Sequence, residues 1–123
     1  MKVKEIEWID SDAEEASVLV GTDKFEVVAF CHPCRLKVGQ SLGAALLSFE
    51  EASVVVVPEE SKETARKQSG SDEWSHHLIG VVKDVGNRLV DCGGILVELT
   101  MLPGDANVGD KIECYPTRLD IVE

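Results

Sequence analysis

Apolar and polar residues alternate along much of this chain, in short runs separated by turn residues. The run "EIEWID" at residues 5–10 sets Ile6 and Trp8 between acidic residues, the period-2 pattern of a strand with one buried face. Comparable runs, rich in β-branched residues and bounded by Gly, Asp, Asn or Pro, are SVLVG, KFEVVAF, ASVVVV, HLIGVVKD, NRLVDCG, GILVELT and DKIECY. Many short strands with closely spaced turns predict an all-β fold, a small closed or nearly closed barrel of antiparallel strands.

Two segments fit this pattern less well. In "QSLGAALLSFEE" (40–51) the apolar residues follow helical spacing, but Gly43 disfavours a helix, and we assign a strand. The segment 58–76 is polar and has almost no apolar face. Ser61 is suited to cap a short helix ending at Arg66 or Lys67, although an all-polar helix of that length is marginal in water. We therefore predict a solvated connection that holds at most a short helix.

The chain resembles itself at an offset of seventy residues, where 17–42 align with 87–112 without a gap. In both copies the same strand face is apolar, and a hairpin turn falls at Asp23-Lys24 and at Gly93-Gly94. We predict one domain, residues 1–123, built from two similar halves of about 1–57 and 77–123. The positions identical in both copies are Leu19 and Leu89, Val20 and Val90, Val27 and Val97, Pro33 and Pro103, Val38 and Val108, and Gly39 and Gly109.

The net charge of the chain indicates which classes of partner it can bind. Asp and Glu number 23 against 12 Lys and Arg, a formal net charge of -11. Such a charge repels nucleic-acid phosphates and anionic lipid and attracts basic proteins. The N-terminal residues lack the apolar core of a signal peptide, and the longest apolar run, Val54 to Val57, is too short to cross a bilayer. We therefore expect a cytoplasmic protein with reduced cysteines, no membrane contact and little affinity for nucleic acid.

The most chemically suggestive motif is "CHPC" at residues 31–34. Two thiols at this spacing serve as half of a zinc site, as a redox pair, or merely as part of a loop. In the repeat alignment they fall over "MLPG" (101–104), which offers no thiol pair, so we favour a structural loop around Pro33. A zinc site using Cys31 and Cys34 is the sharper alternative, with a second ligand pair from His76-His77 or from Cys92 and Cys114. No helix signal follows the motif to support redox chemistry.

No known catalytic motif is present, and we predict a protein without catalytic activity. The two loops related by the repeat, Cys31–Val38 and Met101–Val108, are candidates for an interaction surface. A second candidate patch lies in the polar connection and just after it. The candidate interaction residues are His32, Arg35, Trp74, His76, His77 and Asp105.

The short strands, Gly-bearing turns and the "VGDKIE" strand start (108–113) make the chain similar to small barrels of the oligonucleotide/oligosaccharide-binding (OB) fold. This resemblance implies a ligand-binding face with aromatic side chains, for which Trp8, Phe25 and Phe30 are the candidates. Our leading expectation is an acidic protein-interaction module, for example an inhibitor or immunity-type protein for a basic partner. The alternatives are an OB-like module that binds nucleic acid or a small ligand and, more remotely, a structural zinc protein.

Overall fold

The chain forms eleven β-strands in a computed structural model that describes residues 1–68, 70 and 72–122. Helices are absent from these described residues, and so none is present that could cross a bilayer. The predicted all-β class is therefore confirmed. The strands are β1 Lys2–Asp10, β2 Glu15–Gly21, β3 Glu26–Cys31, β4 Leu46–Phe49, β5 Ala52–Val57, β6 Thr64–Lys67, β7 His76–Asp84, β8 Leu89–Cys92, β9 Ile95–Glu98, β10 Lys111–Tyr115 and β11 Arg118–Ile121.

The strands make one mixed sheet in the order β1-β2-β3-β11-β4-β9-β8-β7-β10-β5, with β6 paired to β7 beside this path. Within the described part of the chain the path is open and ends at β1 and β5. The expectation of a closed antiparallel barrel was therefore wrong in two respects, because β3 with β11 and β4 with β9 are also parallel pairs. Parallel neighbours need long connections, and here each pair joins strands that are far apart in sequence. Local alternation carries no information about such pairing.

The polar connection also differs from the prediction. Residues Thr64–Lys67, where a short helix was expected, form strand β6. This strand pairs antiparallel with His76–Ile79 of β7 and buries Ala65 completely. The backbone hydrogen bonds and the burial outweigh the weak helical preference of a short polar segment. Ser69 and Ser71, which belong to the same predicted connection, lie outside the described residues.

In the central hairpins the alternation read from the sequence matches the burial. It fails on β1, where Trp8, expected on the buried face, is 48% exposed. In the hairpin of β2 and β3 the buried positions alternate with half-buried ones, and Val18, Val20, Val27 and Ala29 have no exposed surface. The hairpin of β8 and β9 repeats this pattern. In the uncertain segment 40–51, the predicted strand forms only at Leu46–Phe49. These buried faces supply the hydrophobic stabilisation of the sheet.

Two glycines occupy matching positions in the two loops that the repeat relates. Gly39 and Gly109 have φ of +91° and +95°, a region that suits glycine. The Gly39 N–H donates to the Val3 carbonyl over 2.8 Å, and the Gly109 N–H donates to the Val82 carbonyl over 2.9 Å. In return, the Val3 N–H donates to the Gln40 backbone carbonyl over 2.9 Å, and the Val82 N–H donates to the Asp110 backbone carbonyl over 2.9 Å. Each loop thus attaches to a neighbouring strand, β1 or β7, by the same pair of backbone bonds.

Candidate interaction surface

An aromatic cluster with an arginine at its centre lies where β3, β11 and β4 are neighbours. Arg118 of β11 is paired with Phe49 of β4, and Phe30 of β3 with Asp120 of β11. The Arg118 guanidinium carbon lies 4.9 Å from the centre of the Phe30 ring and 5.2 Å from that of Phe49. A guanidinium at this distance is attracted to the negative faces of both rings. We call Phe30, Phe49, Trp74 and Arg118 the aromatic patch.

The charge of Arg118 is neutralised within the sheet. Its Nε and a terminal nitrogen donate to the two carboxylate oxygens of Asp120, over 2.7 and 2.9 Å. The two residues are separated by one buried leucine, so both side chains emerge on the same face of β11. The fork-to-fork pair fixes the guanidinium plane. Arg118 therefore contributes a rigid apolar stem and a paired charge to the surface.

Trp74 reaches the patch from the turn before β7. Its ring meets Phe30 edge-on, with the ring centres 6.0 Å apart. Asp72 builds this turn, because its Oδ1 accepts the backbone N–H of Trp74 over 2.8 Å and that of Ser75 over 2.9 Å. The Trp74 N–H is the main cause that lowers the pKa of the Asp72 carboxyl below its usual value. The Asp72 carboxylate is therefore ionised at neutral pH beside the indole.

Two clefts flank the patch. One, of about 370 Å³, is lined by Phe49, Glu50, Asp72, Trp74, Thr117 and Arg118. Glu50 has a φ of +49°, a left-handed conformation that costs a non-glycine residue energy. The other cleft, of about 320 Å³, is lined by Phe30, Cys31, His32, Pro33, Asp120, Ile121 and Val122. The first cleft thus brings aromatic side chains together with two carboxylates that form no salt bridge within the part of the chain that the structure describes.

Three of the predicted interaction residues are connected through Phe30. The imidazole of His32 lies 6.4 Å from the Phe30 ring, on which Trp74 also packs. His76 is joined to Trp74, because its Nδ1 is 2.9 Å from the Trp74 carbonyl. His76 itself is completely buried and therefore supports the surface from below without reaching it.

His77 points elsewhere, as expected for the neighbour of a buried residue on a strand. Its Nε2 is 2.7 Å from a carboxylate oxygen of Glu113, and its ring stacks on Tyr115 with 4.7 Å between centres. The pair borders a third cleft, of about 480 Å³, together with Arg66, Lys67 and Gln68. His77 thus belongs to a separate site.

The other two predicted interaction residues make local contacts. Arg35 forms two 3.3 Å hydrogen bonds with the carboxylate of Glu14, which raise the pKa of its guanidinium. Asp105 is exposed in the loop between β9 and β10, where its carbonyl accepts the Asn107 side-chain amide over 3.3 Å. Their role in an interaction stays a prediction.

The cysteines do not form a suitable zinc site. Cys31 and Cys34 are 4% and 2% exposed, and the Cys31 thiol donates to the Pro33 carbonyl over 3.9 Å. Among the described residues there is no group of three or more His, Cys, Asp or Glu side chains placed to hold a metal. A structural zinc ion takes four such ligands. Burial raises the pKa of the Cys92 thiol, and that of Cys114 to about 12, so both are protonated thiols at neutral pH.

The three aromatic residues that the OB resemblance named do not form one binding face. Trp8 is paired with Ala16, which is paired with Cys31, whereas Phe30 is paired with Ser17. Trp8 and Phe30 therefore lie on opposite faces of the sheet. The Phe25 ring packs on the backbone of Gly93, where an added Cβ would be within 2.3 Å of it.

Several residues of the patch were missed at the level of sequence. Phe49, Arg118 and Asp120 lie in segments that read as ordinary strands, and Asp72 as ordinary turn chemistry. The alternation of Arg118 and Asp120 around a buried leucine is the one signal that indicated a polar face there. The aromatic partners of Arg118 on β3 and β4 lie at least 69 residues earlier in the chain, and no local pattern connects them.

Comparison with known proteins found no match to this chain among family models, curated proteins or solved structures.

Proposed function

We propose that this protein is a non-catalytic, cytoplasmic interaction module that binds a basic protein through the aromatic patch. The observation that carries this proposal is a single cleft whose lining includes two aromatic side chains, Phe49 and Trp74, and two carboxylate residues, Glu50 and Asp72. Partly exposed aromatic side chains in a pocket are typical of residues that dominate binding energy at interfaces.

The chemistry of the cleft favours a lysine or arginine side chain as the group that enters it. The aliphatic stem of such a side chain packs on Trp74 and Phe49, and its charged end meets the two carboxylates. Arg118 does not oppose this, because Asp120 already neutralises it. The net charge of -11 adds a long-range attraction that accelerates encounter with a basic protein. One form of this function is an inhibitor or immunity-type protein that covers a basic toxin or nuclease.

The left-handed backbone at Glu50 supports the same proposal. A non-glycine residue in this conformation is strained by about 1 kcal/mol or more, and such strain concentrates at binding sites. Here the strained residue lines the cleft. Replacement by glycine should relieve the strain and weaken the partner's binding at the same time.

The test uses the tryptophans of the chain, which are Trp8 and Trp74 alone. In a Trp8→Phe background the fluorescence reports only Trp74. Titration with an arginine-rich peptide should change this signal, and added salt should lower the affinity. Glu50→Gln or Asp72→Asn should each raise the dissociation constant about tenfold. An acidic peptide of equal length is the control. An unchanged signal with the basic peptide would contradict the proposed cleft.

The partner itself is sought by affinity capture from cell lysate at low and high salt. The wild-type chain should retain a basic protein in a one-to-one ratio, and salt should release it. Trp74→Ala should lose this protein, whereas Trp8→Ala, which removes an indole 48% exposed on β1, should keep it. Equal capture by the two variants would reject the aromatic patch as the interface.

We also propose that the domain consists of two similar halves, as the sequence repeat predicts. The matching backbone bonds of Gly39 with Val3 and of Gly109 with Val82 support it. The contacts between the halves also match. A strand of the first half, β4, pairs parallel with β9 of the second, and β11 of the second pairs parallel with β3 of the first. The similarity to OB-fold proteins stays a prediction.

A further inference from the structure

The third cleft is lined by basic residues, whereas the cleft beside Phe49 and Trp74 is lined by acidic ones. It lies between the end of β6 and the neighbouring strands β7 and β10, and it measures about 480 Å³. Arg66, Lys67 and Gln68 line one side, and the rings of His77 and Tyr115 the other. In a chain of net charge -11, two adjacent cations at a cleft are a local reversal of sign.

The cations of this cleft have no carboxylate partner in the part of the chain that the structure describes. Three other basic residues are paired by contrast, Arg35 with Glu14, Arg88 with Glu98 and Arg118 with Asp120. The carboxylate of Glu113 is near the cleft, but it is engaged by the His77 imidazole over 2.7 Å. Arg66 and Lys67 therefore retain their capacity to bind an added anion.

The opposite wall is a preformed stack. The His77 and Tyr115 rings are nearly parallel, with an angle of 8° and 4.7 Å between centres. The bond to Glu113 fixes the imidazole, and the pairing of Arg66 with His77 across β6 and β7 puts the two residues on the same face of the sheet. Planar rings bind bases and other aromatic groups by stacking, without a requirement for one particular ring.

We propose that this cleft binds a small organic phosphate that carries a planar ring, such as a nucleoside monophosphate. The phosphate would be held by the fork of Arg66, which shares the face of His77, and the ring would lie against the His77–Tyr115 pair. Lys67, which pairs with His76 at the end of β6, would add a longer-range attraction. The acidic remainder of the surface selects against a nucleic-acid polymer, because repulsion grows with the number of phosphates while only two cations face them. This site is independent of the interface proposed above.

The experiment follows the ring protons of Tyr115, which is the only tyrosine in the chain, by NMR. A nucleoside monophosphate, the corresponding nucleoside and inorganic phosphate are titrated separately at equal ionic strength. The nucleoside monophosphate should shift the Tyr115 resonances saturably, with a dissociation constant of about 1 mM or tighter. The nucleoside and inorganic phosphate should each bind at least about tenfold more weakly, because each makes only half of the contacts.

Lysine and arginine are also common on strand edges that bind no ligand. Variants of the two basic residues distinguish such an edge from a binding site. Arg66→Gln should weaken the binding of the nucleoside monophosphate about tenfold, and Lys67→Gln should weaken it by less. Both residues are exposed, so the fold should persist. Lys24→Gln, the same charge change at a distant hairpin turn, should leave the affinity unchanged. The absence of a saturable shift up to about 10 mM, or a shift that survives the Arg66→Gln/Lys67→Gln double variant, would overturn the proposal. Equal affinity for inorganic phosphate would overturn the stacking half of it.

Discussion

The imidazole Nε2 of His76 accepts the backbone N–H of Val28 over 2.9 Å, although the two residues are 48 positions apart. Because Nε2 accepts, Nδ1 carries the proton and donates to the Trp74 carbonyl over 2.9 Å. Strands β3 and β7 are not paired with each other in the sheet, and the imidazole connects them. A neutral, completely buried histidine on β7 therefore links this strand to β3 and holds the turn that carries Trp74.

This histidine should make the stability depend on pH. Burial lowers the pKa of His76 from 6.5 to about 4, so between these values the unfolded chain binds a proton that the folded chain does not. The contribution of His76 to the free energy of unfolding is therefore fully present above pH 6.5. It is lost as the pH falls towards 4, a decrease of about 3 kcal/mol. Urea denaturation at a series of pH values measures the free energy of unfolding.

The variant His76→Gln should be less stable at pH 7 and should lose most of the pH dependence in this window. His32→Gln removes an exposed imidazole and leaves the Val28 bond intact, so it should retain the wild-type slope. The account of His76 fails if the two variants show the same slope.

Gly80 of β7 should not tolerate a side chain. A Cβ at this position would lie 2.6 Å from both the Asp91 carbonyl oxygen and the Cys92 sulfur, neither of which can move freely. We expect Gly80→Ala to lower the free energy of unfolding by about 1–3 kcal/mol, from overpacking. Gly43→Ala, with nothing within 4 Å of its Cβ, should change it by less than about 0.5 kcal/mol. Chemical denaturation of the two variants checks this, and equal stabilities would count against the tight packing of β7 on β8.

The cysteines should resist alkylation in the folded protein. All of them are at most 4% exposed, and burial raises the pKa of Cys114 to about 12. Mass spectrometry after iodoacetamide treatment at neutral pH should show no adduct until denaturant is added, when four should form. Val38→Cys places a thiol where the native side chain is 65% exposed and supplies the positive control. Rapid native modification of Cys31 or Cys34 would revive the redox interpretation of "CHPC".

The terminal strand β5 should govern self-association at high concentration. It pairs only with β10 among the described strands, and Val55 and Val56 on it are 45% and 44% exposed. Such an uncharged edge is a template for pairing with another chain. Val55→Lys, which faces Glu113 across the pair, should reduce light scattering with a stability change within about 0.5 kcal/mol. Val85→Lys, the same change at an exposed turn position, should not reduce it.

The sequence by itself determined most of the strands and, in the central hairpins, the faces that they bury. Period-2 alternation predicts which side of a strand enters the core, and Val27, Ala29, Ile95, Val97 and Leu99 are all buried as it requires. The turn at Gly93-Gly94 was equally readable, because both residues have positive φ, which glycine adopts without strain. These features depend on neighbours in sequence, and so a local pattern specifies them.

The tertiary structure decided which strands are neighbours, and with that it decided the sites. Strand β6 exists because β7 offers it a pairing edge, a contribution that the polar composition of Thr64–Lys67 does not reveal. Phe30, Phe49, Trp74 and Arg118 meet only because β3, β11 and β4 are adjacent and the Asp72 turn packs on them. His76 and His77 looked equivalent in sequence, yet one is buried and the other lines a cleft, because successive strand residues face opposite sides. For these two residues the local pattern did not show which side is the interior, because the strands that pack on β7 decide it.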